Sequence, residues 1–224
     1  MMFVRTGIVA FVVAAGALAF SSGALAGADD ALGPLELARL ERGELVQRTA
    51  TEQRGNLRLM GGSSWQVIDA APEVVWSALL DTPHYPRFLP QLADARVVQD
   101  GGQTRTVFMQ HAGVLGPSYY LTLRIDAARR YISFRMDDRR PHEIRAAWGF
   151  YAVRPYPGER SLLAYGVKAD IGDGMVSAVL RSSTHEWMMK VPWMVKRFVE
   201  GSGRFIYAKQ ARAARDRALA AARR

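Results

Sequence analysis

The sequence predicts an α+β fold in which a curved antiparallel sheet wraps around a long C-terminal helix, with two short helices after the first strand. Two patterns support this prediction. From residue 95 to residue 171, apolar and polar residues alternate in successive segments, as in half-buried antiparallel strands. From Met175 to Glu200, apolar residues then recur at steps of three and four, which indicates one long amphipathic helix.

Composition excludes several classes of protein. The chain has 224 residues, of which 49% are hydrophobic and 10% aromatic, and it contains no cysteine. At about 150 residues per domain, it holds one large domain or two small ones. Its apolar content is enough for a real core, so wholesale disorder is excluded. Without cysteine, a disulfide framework, thiol catalysis and thiolate metal sites are excluded as well.

The first 26 residues have the pattern of a secretory signal peptide. Arg5 precedes an uncharged apolar run, Ile8 to Phe20, and the small residues of Ala24-Leu25-Ala26 form an A-x-A cleavage pattern. The run is shorter than the roughly 18–20 residues of a spanning helix. We therefore expect a periplasmic or secreted protein, cleaved near Ala26. The alternative is an uncleaved membrane anchor.

The positive charge is concentrated at the C-terminus. The chain has a formal charge of +9, and residues 201–224 contain seven basic residues and one acid, Asp216. This alanine-rich segment is predicted to be a basic helical tail. It is interpreted either as a solvated extension or as a membrane-surface module attracted to anionic headgroups. Because the rest of the chain is nearly neutral, we expect no nucleic-acid partner.

Residues 27–59 are predicted to be an N-terminal extension that leads into the sheet. Residues 44–51 and 57–69 have the composition of extended segments. Gly61 and Gly62 interrupt the second of these, and such a pair predicts a bulge or a bend.

A helix is predicted from Ala71 to Asp81. Pro72 suits its first turn, while Val75 and Leu79, with Trp76 beside them, form the apolar stripe.

Three prolines at positions 83, 86 and 90 prevent a long helix after it. The stretch from Thr82 to Pro90 is predicted to be a compact turn or short helix. Its apolar residues Tyr85, Phe88 and Leu89 are expected to pack inward.

Six antiparallel strands are predicted next, and a tight-turn signal, Asp100-Gly101-Gly102, separates the first two. Arg124 and Arg135 fall on outward positions in this register, and a slip of one residue would bring them inward. The predicted strands are Arg96–Gln99, Thr104–Ala112, Tyr119–Asp126, Arg130–Met136, Ala146–Val153 and Ser161–Ile171.

The final helix, Met175 to Glu200, contains Pro192, which lacks an amide hydrogen and predicts a kink. A bent sheet and a single helix cannot close on each other everywhere. The fold therefore predicts an apolar gap between them, of the kind that holds small molecules.

Two segments carry a resemblance to a known family. Ile68-Asp69-Ala70-Ala71-Pro72-Glu73-Val74-Val75-Trp76 and Tyr85-Pro86-Arg87-Phe88-Leu89-Pro90 resemble the START-related (SRPBCC) superfamily of helix-grip proteins. The closest branch is the polyketide cyclase/dehydrase and coenzyme-Q-binding START group, and the resemblance covers roughly residues 60–200. It implies a helix-grip fold with a cavity for a quinone, sterol, lipid or polyketide. It does not imply catalysis, and the signal segment, the extension and the basic tail depart from it.

The predicted function is to bind or carry a hydrophobic ligand, with no cofactor. The alternative from another class is a cyclase or dehydratase, which needs a titratable group in the cavity. His111 or Tyr165 would supply it. No two of the four histidines have metal-ligand spacing, so no metal site is expected. The residues predicted to line the ligand site are Trp76, Phe88, Met109, His111, Tyr119, Phe134, Trp148, Tyr165, Trp187, Met188 and Val191.

Overall fold

The computed structural model describes residues 32–113, 116–172 and 184–222. All the elements below lie in one unit, Gly33–Arg224. The strands are β1 (Val46–Arg54), β2 (Leu57–Ile68), β3 (Leu92–Asp100), β4 (Thr104–His111), β5 (Ser118–Asp126), β6 (Tyr131–Met136), β7 (Ala146–Tyr156) and β8 (Arg160–Asp170). The helices are α1 (Pro34–Glu41), α2 (Pro72–Leu80), α3 (Tyr85–Phe88), α4 (residues 184–189), α5 (Val191–Glu200) and α6 (Gly203–Ala222).

The eight strands form one curved sheet in the order β1-β2-β8-β7-β6-β5-β4-β3. Every neighbouring pair is antiparallel. The helices α2, α3 and α5 pack against one face of the sheet, which is called the inner face below. The predicted helix-grip α+β fold is therefore confirmed.

The predicted alternation decides which strand residues face inward. On β5, Leu123 is buried in the core, and Arg124 beside it is exposed on the outer face, as predicted. Arg135 on β6 is likewise exposed. The inner-face residues of the five strands from β4 to β8 include Arg105, Val107, Met109, His111, Tyr119, Leu121, Leu123, Ile125, Ile132, Phe134, Met136, Ala147, Gly149, Tyr151, Val153, Leu163, Tyr165, Val167 and Ala169.

Gly61 and Gly62 allow three strands to approach closely. The pairing of β2 with β1 and β8 runs through both residues without a register shift, so the strand contains no bulge here. Their φ angles are +145° and +140°, a conformation that favours glycine. A Cβ atom added to Gly61 would lie 1.9 Å from the carbonyl oxygen of Val167. One added to Gly62 would lie 2.0 Å from the carbonyl oxygen of Arg48. Only glycine therefore fits at these positions.

The residues between β2 and β3 fold as predicted. Thr82–His84 form a single 3₁₀ turn between α2 and α3, and Tyr85, Phe88 and Leu89 are all buried. The Tyr85 hydroxyl donates a hydrogen bond to the Leu79 carbonyl oxygen, at 2.6 Å. This bond ties α3 to α2.

The C-terminal helical region is divided near the proline predicted to kink it. The chain makes a turn at Lys190, and Pro192 lies in the first turn of α5, where its missing amide hydrogen leaves no gap in the helix. Residues 175–183 of the predicted helix lie outside the described residues. None of the helices that the structure describes is long and apolar enough to cross a bilayer.

The predicted N-terminal extension supplies α1, β1 and the first residues of β2. The helix α1 buries Leu40, and β1 is an edge strand whose residues after Gln47 are exposed. The basic tail forms α6, and the hydroxyl of its fully buried Tyr207 donates a hydrogen bond to Asp81 Oδ2, at 3.1 Å.

Candidate functional site

The site is the inner face of the sheet together with the helices that cover it. Met109 and Phe134 from the sheet are buried in the same cluster as Met188 of α4 and Val191 of α5. These four residues were predicted to line the ligand site, and the structure brings them to one apolar region. Thioether side chains adapt their shape readily, so Met109 and Met188 suit a variable guest.

Trp76 and Phe88 border this region from the helices α2 and α3. Phe88 is buried, and its ring stacks on Phe198 of α5 with 5.1 Å between ring centroids. Trp76 is partly buried against the same core. Phe88 thus joins two of the covering helices.

Trp148 was predicted to face inward, but the structure places it on the outer face. Its neighbours on β7, Ala147 and Gly149, face inward, and Trp148 lies opposite Lys168 on the outer side of β8. The inward aromatic residue of this strand is Tyr151, which the sequence analysis missed. Both faces of β7 carry an aromatic residue, so alternation alone does not distinguish them.

His111, Tyr119 and Trp187 form a polar and aromatic cluster at one end of the inner face. His111 Nε2 and the Tyr119 hydroxyl lie at hydrogen-bond distance, 2.9 Å. The Trp187 ring of α4 lies 5.5 Å from the His111 ring, measured between centroids. The three predicted residues therefore meet, and they join β4 and β5 to α4.

Burial keeps His111 neutral. Loss of hydration lowers the pKa of its imidazole from 6.5 to about 4, because the charged form is poorly solvated in the interior. The same loss of hydration raises the pKa of Tyr119 above its usual 10.0. At neutral pH the pair consists of an uncharged imidazole and an uncharged phenol, and each of these groups can donate or accept a hydrogen bond.

Three hydroxyl-bearing residues form a row across the middle of the inner face. Ser64 on β2 is the register partner of Tyr165 on β8, and Tyr165 is the register partner of Tyr151 on β7. The rings of the two tyrosines are 4.9 Å apart. Because directly opposed residues in an antiparallel pair point to the same side, all three hydroxyls belong to one surface.

One hydroxyl of this row has no hydrogen-bond partner among the described residues. Ser64 is fully buried, with its Oγ unpaired. Tyr165 and Tyr151 are 5% and 9% exposed, and of the three hydroxyls the one that is fully buried without a partner is that of Ser64. Burial raises the pKa of both phenols, so they remain protonated and able to donate. A buried hydroxyl without a partner costs about 1–3 kcal/mol.

Among the inner-face positions from β4 to β8, the charged side chain is that of Arg105, which is the register partner of Leu123 at one end of the face. Arg105 lies at the start of β4, where its guanidinium donates to the Leu80 carbonyl oxygen and pairs with Asp100. No group of three or more side chains that could hold a metal ion occurs in the described ranges. The site thus offers apolar surface and neutral hydrogen-bonding groups.

Part of the inner face remains accessible from one side. Tyr119 and Leu121 of β5 point inward but are only partly buried, and so is Trp187 of α4. In contrast, Leu163 of β8 is completely buried. The covering helices therefore close over β8 more fully than over β5.

A second concave region lies elsewhere and contains none of the predicted site residues. It is a groove of about 460 Å³ on the outside of the domain, between α2, the turn that joins β7 to β8, and α6. Its lining carries both charge signs, with Asp69 and Glu159 beside Arg160 and Arg204. The mixed charge distinguishes this groove from the apolar inner face.

Comparison with protein families identifies one match. Residues 63–202 match the family described as polyketide cyclase / dehydrase and lipid transport. The matched range begins in β2 and ends after α5, so it includes every residue of the inner face described above. No protein among curated sequences matches the chain.

Several solved structures share the fold. A protein from Thermus thermophilus has a TM-score of 0.53 and 14% identity, over 62% of this chain and 97% of its own. The Zhui aromatase/cyclase from Streptomyces sp. R1128 has a TM-score of 0.51 and 16% identity, over 65% and 98%. A STAR-related lipid transfer protein fragment from Xanthomonas axonopodis has a TM-score of 0.53 and 12% identity, over 69% of this chain and 98% of its own. At these identities, the similarity concerns the fold.

The buried imidazole predicts a pH dependence of stability. Because its pKa is about 4 in the folded state and 6.5 in the unfolded chain, unfolding takes up a proton between these values. Acidification from pH 7 to pH 4.5 should therefore remove about 2 kcal/mol of stability through this residue. Urea unfolding of the wild type and of His111→Gln at both pH values isolates the effect, since other groups titrate in both proteins. Equal losses in the two proteins would contradict a neutral buried His111.

Proposed function

This chain belongs to the polyketide cyclase/dehydrase and lipid transport family, and we propose that it binds and carries an uncharged hydrophobic molecule on its inner face. The molecule lies between the sheet and the helices α4 and α5. The ligand class extends from quinones and sterols to neutral lipids and polyketides. The protein shields the molecule from water and does not alter it.

The observation that carries this proposal is the row of hydroxyls formed by Ser64, Tyr151 and Tyr165. In an interior built only for packing, these positions would favour apolar residues, because a buried hydroxyl needs a hydrogen-bond partner and Ser64 has none among the described residues. A carbonyl or hydroxyl oxygen of the ligand supplies the missing partner. Two protonated tyrosines donate to such an oxygen and hold it near the middle of the sheet.

The charged inner-face side chain, Arg105, is already held by the Leu80 carbonyl oxygen and by Asp100, so the middle of the face from β4 to β8 offers no free cation to an ionised ligand. A carboxylate or phosphate placed among Phe134, Tyr151 and Tyr165 would lose its hydration without gaining a cation. A neutral molecule avoids that cost and gains about 25 cal/mol for each Å² of apolar surface that it buries. We infer that contact area supplies the affinity and that the tyrosines supply orientation.

Entry is proposed at the β5 side, where Tyr119, Leu121 and Trp187 remain partly accessible. The ligand would pass between β5 and α4. The breaks in the helical region at Lys190 and at Gly201-Ser202-Gly203 allow α4 and α5 to move relative to the sheet.

Removal of either tyrosine hydroxyl should lower the affinity for the ligand without lowering the stability of the fold. In Tyr165→Phe and Tyr151→Phe, the free energy of unfolding without ligand should stay the same or rise by about 1 kcal/mol, because the hydroxyl is proposed to bond to the ligand and not to the fold. Affinity for the neutral quinone decylubiquinone should fall about fivefold, since one hydrogen bond is lost. Quenching of tryptophan fluorescence measures the affinity, with palmitic acid as the charged comparison.

Tyr85→Phe is the matched control, because the Tyr85 hydroxyl already donates to the Leu79 carbonyl oxygen. This variant should lose about 1 kcal/mol of stability and keep the ligand affinity of its folded form. The proposal is wrong if all three variants lose stability alike and bind the quinone as the wild type does.

A second candidate function is cyclisation or dehydration of a polyketide, and the pair formed by His111 and Tyr119 favours it. The neutral imidazole can take the proton next to a carbonyl while the phenol stabilises the developing oxyanion. Loss of water after ring closure would complete an aromatic product.

The enzyme candidate predicts that His111→Gln abolishes turnover of a poly-β-ketone thioester, followed by mass spectrometry as the loss of water. A carrier releases the same compound unchanged, with or without the substitution. If the mass of the thioester is unchanged after incubation with the wild-type protein, the enzyme candidate is eliminated.

We also propose that the protein works outside the cytoplasm, after cleavage near Ala26. The support is the residue pattern of the first 26 positions. Expression of the full chain in a bacterial host, followed by N-terminal sequencing of the periplasmic fraction, should give a mature chain that begins near Gly27. A chain recovered only from the cytoplasm with Met1 intact would overturn this part of the proposal.

A further inference from the structure

We propose that α6 docks the protein on an anionic lipid surface through one exposed side, the docking face, formed by Phe205, Lys209 and Arg212. This docking requires no ligand on the inner face, so it can be tested independently of the carrier function. The docking face contacts the headgroup region of a bilayer. The helix lies on this region without crossing the membrane.

The geometry of α6 separates the docking face from the side that packs on the domain. Tyr207 is fully buried and bonded to Asp81, whereas Phe205, two residues earlier, is 85% exposed. Two residues turn an α-helix by about 200°, so these rings point to opposite sides. Lys209 and Arg212 follow Phe205 at spacings of four and seven residues, which places them on the same side. Both are exposed.

The cations of this region are available to an external partner. Arg204, Lys209 and Arg212 form no ion pair with any residue that the structure describes. Asp216 follows one turn after Arg212, and it is the single acid among residues 201–224, which carry seven basic residues. An excess of positive charge at the end of a domain attracts an anionic surface, with about 1 kcal/mol for each basic residue near it.

The exposed phenyl ring favours a bilayer over a folded protein as the partner. Phe205 supplies one aromatic anchor between cations, as in helices that lie in the headgroup region with the aromatic side chain toward the acyl chains. A stable protein interface buries about 800 Å² on each partner, which is far more than one ring and its neighbours provide. A bilayer with anionic headgroups therefore accounts for both features of the face, because the headgroups attract the cations and the acyl chains accept the ring.

The test is co-sedimentation of the full chain with vesicles of mixed phosphatidylcholine and phosphatidylglycerol, compared with vesicles of phosphatidylcholine alone. The wild type should bind the mixed vesicles and release them at high salt, because screening weakens the attraction. Lys209→Glu/Arg212→Glu should weaken binding by at least about 30-fold. Phe205→Ser should weaken it about tenfold, through loss of the buried ring.

Two control variants match these changes at other places on the surface. Arg54→Glu/Arg129→Glu reverses the same number of exposed basic residues on β1 and on the turn after β5. Leu35→Ser removes an apolar side chain of α1 that is 83% exposed, as Phe205 is on α6. Both should bind the mixed vesicles as the wild type does.

The proposal is overturned if the wild type does not bind mixed vesicles, or if the control variants weaken binding as much as the docking-face variants. Binding of the wild type to phosphatidylcholine alone with equal strength would overturn the role of charge. Because all the substituted side chains are exposed, each variant should keep the fold. Circular dichroism of each variant checks this.

Discussion

A hydroxyl group that is removed from water must find another hydrogen-bond partner, and the inner face of this sheet depends on that requirement. The register of β7 and β8 sets Tyr151 directly opposite Tyr165, and the register of β2 adds Ser64 beside them. The fold brings these hydroxyls together, and within the described residues it leaves the buried Ser64 hydroxyl without a partner. Each unpaired hydroxyl opposes folding by about 1–3 kcal/mol. The row is therefore better explained by a guest molecule than by packing.

The surrounding structure is arranged around this row. Aliphatic, aromatic and thioether side chains surround it on the sheet and on α5, and the strand arginines Arg124 and Arg135 lie on the outer face. His111 stays neutral because its charged form is poorly solvated there. Neutral groups within an apolar wall suit a molecule that has one polar end and a large apolar body. The family to which the chain belongs is described as polyketide cyclase / dehydrase and lipid transport.

Alternation and helical periodicity were sufficient to predict the strands, the short helices and the division near Pro192. They identified Met109, His111, Tyr119, Phe134 and Tyr165 as neighbours on one face, because each strand has an unambiguous apolar side. They failed for Trp148, since β7 carries aromatic residues on both sides and the choice depends on its pairing with β8. Ser64 and Tyr151 were missed for a related reason: a row across three strands exists only through the inter-strand register, which no single segment encodes.

Mass spectrometry of small molecules extracted from the purified protein tests the central claim most directly. If the inner face holds a neutral guest, the extract contains an uncharged, oxygen-bearing hydrophobic molecule in near-stoichiometric amount. Double substitution of Tyr151 and Tyr165 by phenylalanine should reduce that amount while the protein remains folded. An extract that contains nothing above background, or only fatty acids and phospholipids, would contradict the claim.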